Sequence, residues 1–134
     1  MSALTHRDFV SALAEILQTR TGMQPGEDLF AHRMLSDVRR GVLILQPLVG
    51  VKHDHYLPGY RKGRYAVVVR ESKQDEGLQL ARTVEQGLTV SNVAVAGFHI
   101  NHIRSVHEPV PFPMSESGLI EFSLHFDCNY VDPQ

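Results

Sequence analysis

The segment from Leu119 to Tyr130 alternates strictly between apolar and polar side chains, and no other feature constrains the fold of this chain as tightly. A period of two is that of a β-strand, in which successive side chains point to opposite faces of a sheet. The pattern therefore predicts a strand with one face packed on helices and the other facing solvent or a partner. The apolar positions are Ile120, Phe122, Leu124, Phe126, Cys128 and Tyr130, and the polar positions are Glu121, Ser123, His125, Asp127 and Asn129.

A first helix is expected before this strand, close to the beginning of the chain. Thr5 has the character of an N-cap, and Asp8 follows three residues later in the capping-box position. Gly22 suits the C-terminal exit of a helix. We predict a helix from His6 to Thr19, whose apolar side chains recur at helical spacing: Phe9, Leu13, Ile16 and Leu17.

A second helix is predicted in the middle of the chain, from Lys73 to Gln86. Ser72 stands at its N-cap position, with Asp75 three residues later, and Gly87 is expected to end it. The apolar stripe that supports this prediction consists of Leu78, Ala81, Val84 and Leu88.

A β-hairpin with a long tip is expected between the two helices. The segment Gly41–Val51 is rich in branched apolar residues and predicts a strand, with Pro47 at a bulge or edge position. Arg64–Arg70, with Tyr-Ala-Val-Val-Val at its centre, predicts a second strand. The polar and aromatic connection Lys52–Gly63 then forms the extended tip.

The remaining segments give weaker signals. Val90–Val95 is expected to form turn and strand, and Gly97–Val106 a strand. The Pro-rich loop, His107–Gly118, contains three prolines that argue against regular strand pairing. Met23–Arg40 fits either a short helix or an irregular strand. The order helix, hairpin, helix, hairpin predicts an α+β fold in which two antiparallel hairpins form a sheet packed against two helices.

Composition limits the classes of protein that this chain can belong to. Its 134 residues and 15.0 kDa fit a single domain over residues 1–134, and 43% hydrophobic with 21% charged residues is an ordinary globular balance. A formal net charge of -2 offers no broad basic face to nucleic acid. With one cysteine, no apolar stretch long enough for a bilayer and no signal-peptide pattern, we expect a protein made in the cytoplasm without a membrane partner.

Histidines are the only candidates for a metal or acid–base site. His53 and His55 alternate near the hairpin tip and could supply two ligands, with His99 or His102 as a third. Asp54 could orient an imidazole. No closely spaced Cys, Glu or Asp completes a metal motif, and Cys128 is expected to be a small buried hydrophobe. We therefore predict no catalytic residue and no cofactor, and keep a small metal-dependent enzyme using His53 and His55 as an alternative.

Two segments look suited to contact a partner. The hairpin tip combines apolar side chains with a basic cluster, and the Pro-rich loop adds apolar side chains that are not expected to join a sheet. Exposed apolar patches mark partner surfaces more often than chemistry, although a solvated loop is the plain alternative. The predicted interface residues are Tyr56, Leu57, Tyr60, Arg61, Lys62, Arg64, Val110, Phe112 and Met114.

The element order resembles a known family. Pro58–Arg64 leads into an apolar strand, Leu78–Leu88 is helical, and Gly118–Phe126 closes the chain after a Pro-containing loop. From His6 to Tyr130 this arrangement is similar to the tail terminator and minor capsid (tail completion) proteins of long-tailed bacteriophages.

The resemblance implies a structural virion protein. Such a protein forms a ring, commonly of six copies, that caps the tail tube, stops its polymerisation and presents a surface to the head or neck. Its expected partners are further copies of itself, the tail tube protein and a head completion or neck protein, with DNA only as passing cargo in the lumen. The resemblance implies no catalysis and no cofactor. A head–tail connector or neck protein remains the alternative within the same class.

Overall fold

Two helices and one eight-stranded sheet make up the part of the chain that a computed structural model describes, residues 8–47, 49–112 and 118–132. The helices are α1 (Phe9–Thr21) and α2 (Gln74–Leu88). The strands are β1 (Leu29–Ala31), β2 (Gly41–Leu45), β3 (Lys52–His53), β4 (Tyr60–Glu71), β5 (Val90–Val95), β6 (Phe98–Ser105), β7 (Val110–Pro111) and β8 (Ile120–Val131).

The strands lie in the order β1-β2-β4-β8-β6-β5, with β3 paired to β4 and β7 paired to β8. β1 and β2 run parallel, and every other pairing is antiparallel. The predicted α+β class is confirmed. The predicted scheme of two hairpins is too simple, because β8 inserts between β4 and β6 and short strands extend the sheet. The Met23–Arg40 segment contributes one of these strands, β1, and no helix.

The long ladder between β4 and β8 forms the centre of the sheet. It runs from Tyr60 opposite Val131 to Glu71 opposite Ile120. The alternation in β8 is confirmed, since its six apolar side chains are buried and its polar ones are more exposed. β4 begins at Tyr60 rather than at the predicted Arg64, because β8 is long enough to pair with residues that looked like part of the loop.

Both helices pack on the face that the apolar side chains of the sheet share. The core includes Leu13 and Leu17 of α1, Val84 of α2, and Val67 and Leu124 of the central strands, all fully buried. Burial of such side chains is the main favourable contribution to folding. The opposite face of the sheet, which we call the outer face, carries no helix in the described part of the chain.

The start of α1 differs from the prediction. Asp8 is the N-cap, and its Oδ1 atom accepts a hydrogen bond of 3.0 Å from the backbone N–H of Ser11. Thr5 lies outside the described residues. The predicted exit at Gly22 is confirmed: this residue adopts φ 78°, and its N–H donates to the carbonyl of Gln18.

The boundaries of α2 also differ. Lys73 is the N-cap and makes no side-chain capping bond. The hydroxyl of Ser72 instead donates to Glu71, at 3.2 Å. Gly87 does not end the helix, because at this position α2 passes close to Leu17 and the helix continues to the buried Leu88.

The Pro-rich loop joins the sheet, contrary to the prediction. Val110 and Pro111 pair with Ser123 and Phe122 as β7, and the N–H of Phe112 donates to the carbonyl of Glu121 at 2.8 Å. A proline is tolerated at a sheet edge, where its missing N–H faces away from the neighbouring strand. No helix in the described ranges is long and apolar enough to cross a membrane.

Candidate functional site

The hairpin tip presents apolar side chains to solvent, as predicted. Tyr56 is 91% exposed and Leu57 is 54% exposed. Asp54 shapes the turn, since its Oδ1 atom accepts hydrogen bonds from the backbone N–H groups of Tyr56 at 2.8 Å and Leu57 at 3.0 Å. The described Asp54 contacts therefore serve the turn rather than an imidazole. They fix the backbone that carries the two apolar side chains, which lowers the entropic cost of ordering this turn against a partner.

The base of the tip is tied to the end of β8. The N–H of Asp132 donates to the carbonyl of Gly59 at 2.7 Å. Gly59 adopts φ +84°, and a Cβ atom placed there would lie 2.5 Å from the carbonyl oxygen of Asp132. Only glycine allows this close approach.

The predicted basic cluster divides between the two faces of the sheet. Lys62 and Arg64 alternate with the buried Tyr65 and therefore lie on the outer face, whereas Arg61 lies on the opposite face. Lys62 places its Nζ atom 5.7 Å from the centroid of the Tyr60 ring. The structure therefore does not bring the predicted basic residues into one patch.

Arg64 pairs with a carboxylate across the central ladder. Its Nε atom lies 2.9 Å from Oδ1 of Asp127, and its Nη2 atom lies 3.4 Å from Oδ2. Both side chains are more than half exposed, so solvent screens the attraction and the pair contributes little to stability. The pair orients the guanidinium of Arg64 on the outer face.

The Pro-rich loop exposes Val110 by 45% and Phe112 by 47%. Two contacts tether its beginning: Nε2 of His107 lies 2.8 Å from Nδ1 of His125, and the hydroxyl of Ser105 donates to the backbone carbonyl of His107 at 3.0 Å. Met114 falls outside the described residues.

The tip and the Pro-rich loop lie at opposite ends of β8. Tyr60, which follows the tip, pairs with Val131, whereas Pro111 pairs with Phe122. The structure therefore separates the two predicted interface segments along the sheet instead of joining them into one surface.

The histidines predicted as metal ligands do not converge on one site. His53 lies in β3 and pairs with Arg61, whereas His99 and His102 lie in β6, with β4 and β8 between them. Among the residues described, no three His, Cys, Asp or Glu side chains are placed to hold a metal ion. The enzyme alternative therefore lacks a third ligand for His53 and His55 in this part of the chain.

Cys128 is buried, as predicted, with 2% of its surface exposed. Burial, followed by the charge of Asp127, raises the pKa of its thiol well above the ordinary value. A protonated thiol is a poor nucleophile, so the residue behaves as part of the core.

A groove on the outer face was not predicted. This sheet-face groove has a volume of about 750 Å³ and is bordered by the chain that leaves β2 and by β3, β4, β6 and β8. Its apolar lining includes Leu45, Pro47, Val49 and Ala66, and its polar lining includes Lys52, Lys62, Arg64, His102, His125 and Asp127. These residues come from separate strands, so only the pairing register reveals that they are neighbours.

Positive charge predominates in and around the sheet-face groove. The register places Lys52 directly opposite Lys62. Burial, followed by the charge of Arg104, lowers the pKa of His102, with Lys62 acting in the same direction and Asp127 against it. The Nδ1 atom of His102 is buried and has no hydrogen-bond partner in the structure. Such an arrangement is suited to receiving an anionic group.

The sequence of this chain matches a known protein family. Residues 16–132 match the family model described as bacteriophage tail terminator protein. The chain belongs to this family. Tail terminators are structural proteins of phage tails, so the predicted resemblance is confirmed and the protein is located in the virion.

A solved structure shares the fold of this chain. A chain in the virion of a native gene transfer agent (GTA) particle superimposes with a TM-score of 0.70 at 10% sequence identity. The match covers 97% of this chain and 99% of that chain. At this identity the likeness shows a shared fold. No curated protein matches the sequence.

Proposed function

We propose that this protein is the terminator of a phage tail. Copies of the chain form a closed ring, of six subunits, that caps the tail tube, stops its polymerisation and offers a joining surface to the head. Each subunit is one α+β domain spanning residues 1–134. The family match supports the tail role, and the separation of two exposed apolar segments along one sheet supports the ring.

A ring needs two different surfaces on each subunit, because each subunit contacts one neighbour with one surface and the next neighbour with the other. The tip and the Pro-rich loop supply such surfaces. They sit at opposite ends of β8, and each exposes apolar side chains that have no place in the core. The interface residues that we assign are Tyr56, Leu57, Tyr60, Arg61, Lys62, Arg64, Val110, Phe112 and Met114.

The remaining partners follow from the same role. The ring binds the tail tube protein on one side and a head completion or neck protein on the other. DNA passes through the lumen without being read, and the formal net charge of -2 per chain favours sliding over retention. The role requires no cofactor, no catalytic residue and no membrane.

The test combines solution mass with tube length. Light scattering on the purified protein should give the mass of a ring, alone or in the presence of tail tube protein, and added protein should shorten tubes that are assembling. A protein that stays monomeric at all concentrations and leaves tube length unchanged contradicts the proposal. A ring that cross-links to a neck protein but leaves tubes unaffected supports the head completion alternative.

A matched pair of variants tests whether the hairpin tip is an assembly surface. Leu57 and Leu35 are both 54% exposed, and only Leu57 lies in the tip. Leu57→Ser should weaken assembly or tube capping at least tenfold, and Leu35→Ser should leave both unchanged. Equal effects of the two substitutions would contradict a specific role for the tip.

A further inference from the structure

The sheet-face groove has more positive charge than its own residues balance. Asp127 is the carboxylate that lines it and already pairs with Arg64. Lys52 and Lys62 face each other in the ladder, an arrangement that is unfavourable for a sheet on its own. Arg104, opposite Asp127 on the other side, lies next to the groove rather than in its lining and makes no ion pair with any described residue. An incoming carboxylate would relieve this repulsion.

The described residues also leave the apolar part of the groove without a cover. Leu45, Pro47, Val49 and Ala66 contribute carbon surface to it, and Val49 is 84% exposed. A volume of about 750 Å³ lies within the range of sites that enclose a side chain or a small ligand. The occupant must therefore bring apolar atoms together with a negative charge. A nucleic-acid duplex brings phosphates but no apolar side chain to cover these carbons.

One exposed segment of this same chain has that combination. In the Pro-rich loop, Glu108 is exposed and makes no ion pair with a described residue, and it is followed by the exposed Val110 and Phe112. The hairpin tip is less suited, because its carboxylate, Asp54, already accepts hydrogen bonds from the backbone N–H groups of Tyr56 and Leu57. Charge and apolar surface therefore both favour the Pro-rich loop as the occupant.

We propose that the sheet-face groove of one copy receives the first part of the Pro-rich loop of a second copy, residues 107–112, with Glu108 among its cations and Phe112 on its apolar lining. This inference rests on the proposed ring and names its receiving surface, which adjoins the hairpin tip through Lys52 and Lys62. In its own chain the loop reaches only the near end of the groove, where His107 contacts His125, and does not extend to the far end. Val110 pairs with Ser123, whereas the groove reaches Asn129, six residues further along β8, which is roughly 20 Å at about 3.3 Å per residue.

His102 adds an independent reason for an occupant. Its buried Nδ1 atom has no hydrogen-bond partner in the structure, and an unsatisfied buried polar atom is unfavourable. A carboxylate in the groove, close to Lys62 and His102, would offset the positive charge of Lys62 and would give this imidazole an anionic neighbour. The contact is heterologous, since a loop meets a groove, and repeated contacts of this kind generate a ring when the rotation between neighbouring copies closes.

Charge reversal tests the contact through solution mass and dissociation on dilution. Lys62→Glu and Glu108→Lys should each weaken self-association at least tenfold, and the double variant should recover most of the loss. Arg33→Glu and Glu15→Lys, at exposed positions elsewhere, serve as matched controls that should leave self-association unchanged. Circular dichroism and the melting temperature of every variant show that it is folded.

Cross-linking tests the geometry. A Phe112→Cys variant mixed with an Ala66→Cys variant should form an intermolecular disulfide under mild oxidation. Mixing Phe112→Cys with a Leu35→Cys variant should form none. The buried Cys128 should not compete in either mixture.

The outcomes separate the two proposals. If the wild-type protein forms rings but the charge reversals leave them intact and no Phe112–Ala66 disulfide forms, the groove assignment is wrong and the ring remains. If the wild-type protein does not self-associate on its own or on tail tubes, the ring itself is wrong. If Lys62→Glu removes binding to a DNA fragment and leaves self-association unchanged, the groove serves nucleic acid and the proposal is overturned.

Discussion

The Nε2 atom of His107 lies 2.8 Å from the Nδ1 atom of His125, and this contact links the Pro-rich loop to β8. Nδ1 of His107 lies 2.7 Å from the carbonyl oxygen of Glu108. A carbonyl oxygen can only accept, so Nδ1 of His107 carries a proton and donates it. One of the two facing nitrogens, Nε2 of His107 or Nδ1 of His125, must then donate and the other must accept. The contact is therefore incompatible with a positive charge on both imidazoles.

The link predicts a stability that depends on pH. Burial, followed by the charges of His107 and Arg64, lowers the pKa of His125 below its ordinary value of 6.5. The unfolded chain therefore takes up this proton at a higher pH than the folded chain. The contribution to stability is complete above about pH 6.5 and is lost as the pH falls through that value toward the folded pKa. The free energy of unfolding, measured with urea, should be lower at pH 5.5 than at pH 7.5.

A His125→Gln variant should show a smaller difference between the two pH values than the wild-type protein. His99→Gln serves as the control, because His99 is exposed on the same face and outside the pair. An unchanged pH dependence in His125→Gln, with a change in His99→Gln, would refute the assignment to this pair.

Gly59 and Gly22 allow a direct comparison of backbone strain with a steric clash. Both adopt a positive φ, but a Cβ atom at Gly22 meets nothing within 4 Å, whereas one at Gly59 lies 2.5 Å from the backbone of Asp132. Gly22→Ala should cost about 1–2 kcal/mol from the left-handed backbone alone. Gly59→Ala should cost about 1–3 kcal/mol more, since backbone must move as in an overpacked core.

Urea unfolding of both variants measures the difference, and limited proteolysis near Tyr56 reports the release of the tip. Equal losses of stability in the two variants would mean that the contact between Gly59 and Asp132 does not restrain the tip.

At Gly77, α2 lies close to Phe122 of the sheet. A Cβ atom there would lie 2.6 Å from Cε1 of Phe122, which is itself 2% exposed. Alanine normally favours a helix over glycine by about 1 kcal/mol. Here, Gly77→Ala should instead destabilise the protein by about 1–3 kcal/mol, because the aromatic ring has no space to retreat.

Thermal or urea unfolding gives this value, with Gln79→Ala, at an exposed position of the same helix, as the control. Combining Gly77→Ala with Phe122→Leu should cost less than the sum of the two single changes. A stabilising Gly77→Ala would show that α2 sits farther from β8.

Cys128 should be unreactive in the folded protein. Its burial and raised pKa keep the thiol protonated and out of reach of reagents. At pH 8, iodoacetamide should label it at least a hundredfold faster in urea than in buffer, as read by intact mass. Rapid labelling of the folded protein would place the thiol at the surface.

Local sequence was sufficient to predict those features of a strand or a helix end that depend only on neighbouring residues. The alternation in β8 identified both of its faces, because a period of two depends only on neighbouring residues. Gly22 marked the end of α1, because a left-handed residue is a local requirement. The exposure of Tyr56 and Leu57 was also predicted, since a tip lies too far from the core to bury them.

Tertiary structure decided the features that depend on a second segment. Pro111 became part of the sheet because β8 offered an edge beyond the end of β6. The helix α2 extended through Gly87 because α1 lies against it.

The sheet-face groove could not be predicted, since its polar side chains come from β3, β4, β6 and β8 and become neighbours only through the pairing register. The strict alternation from which the fold was first inferred showed that the polar face of β8 was free of the core. What lies beside that face is a long-range property, which the order of strands alone determines.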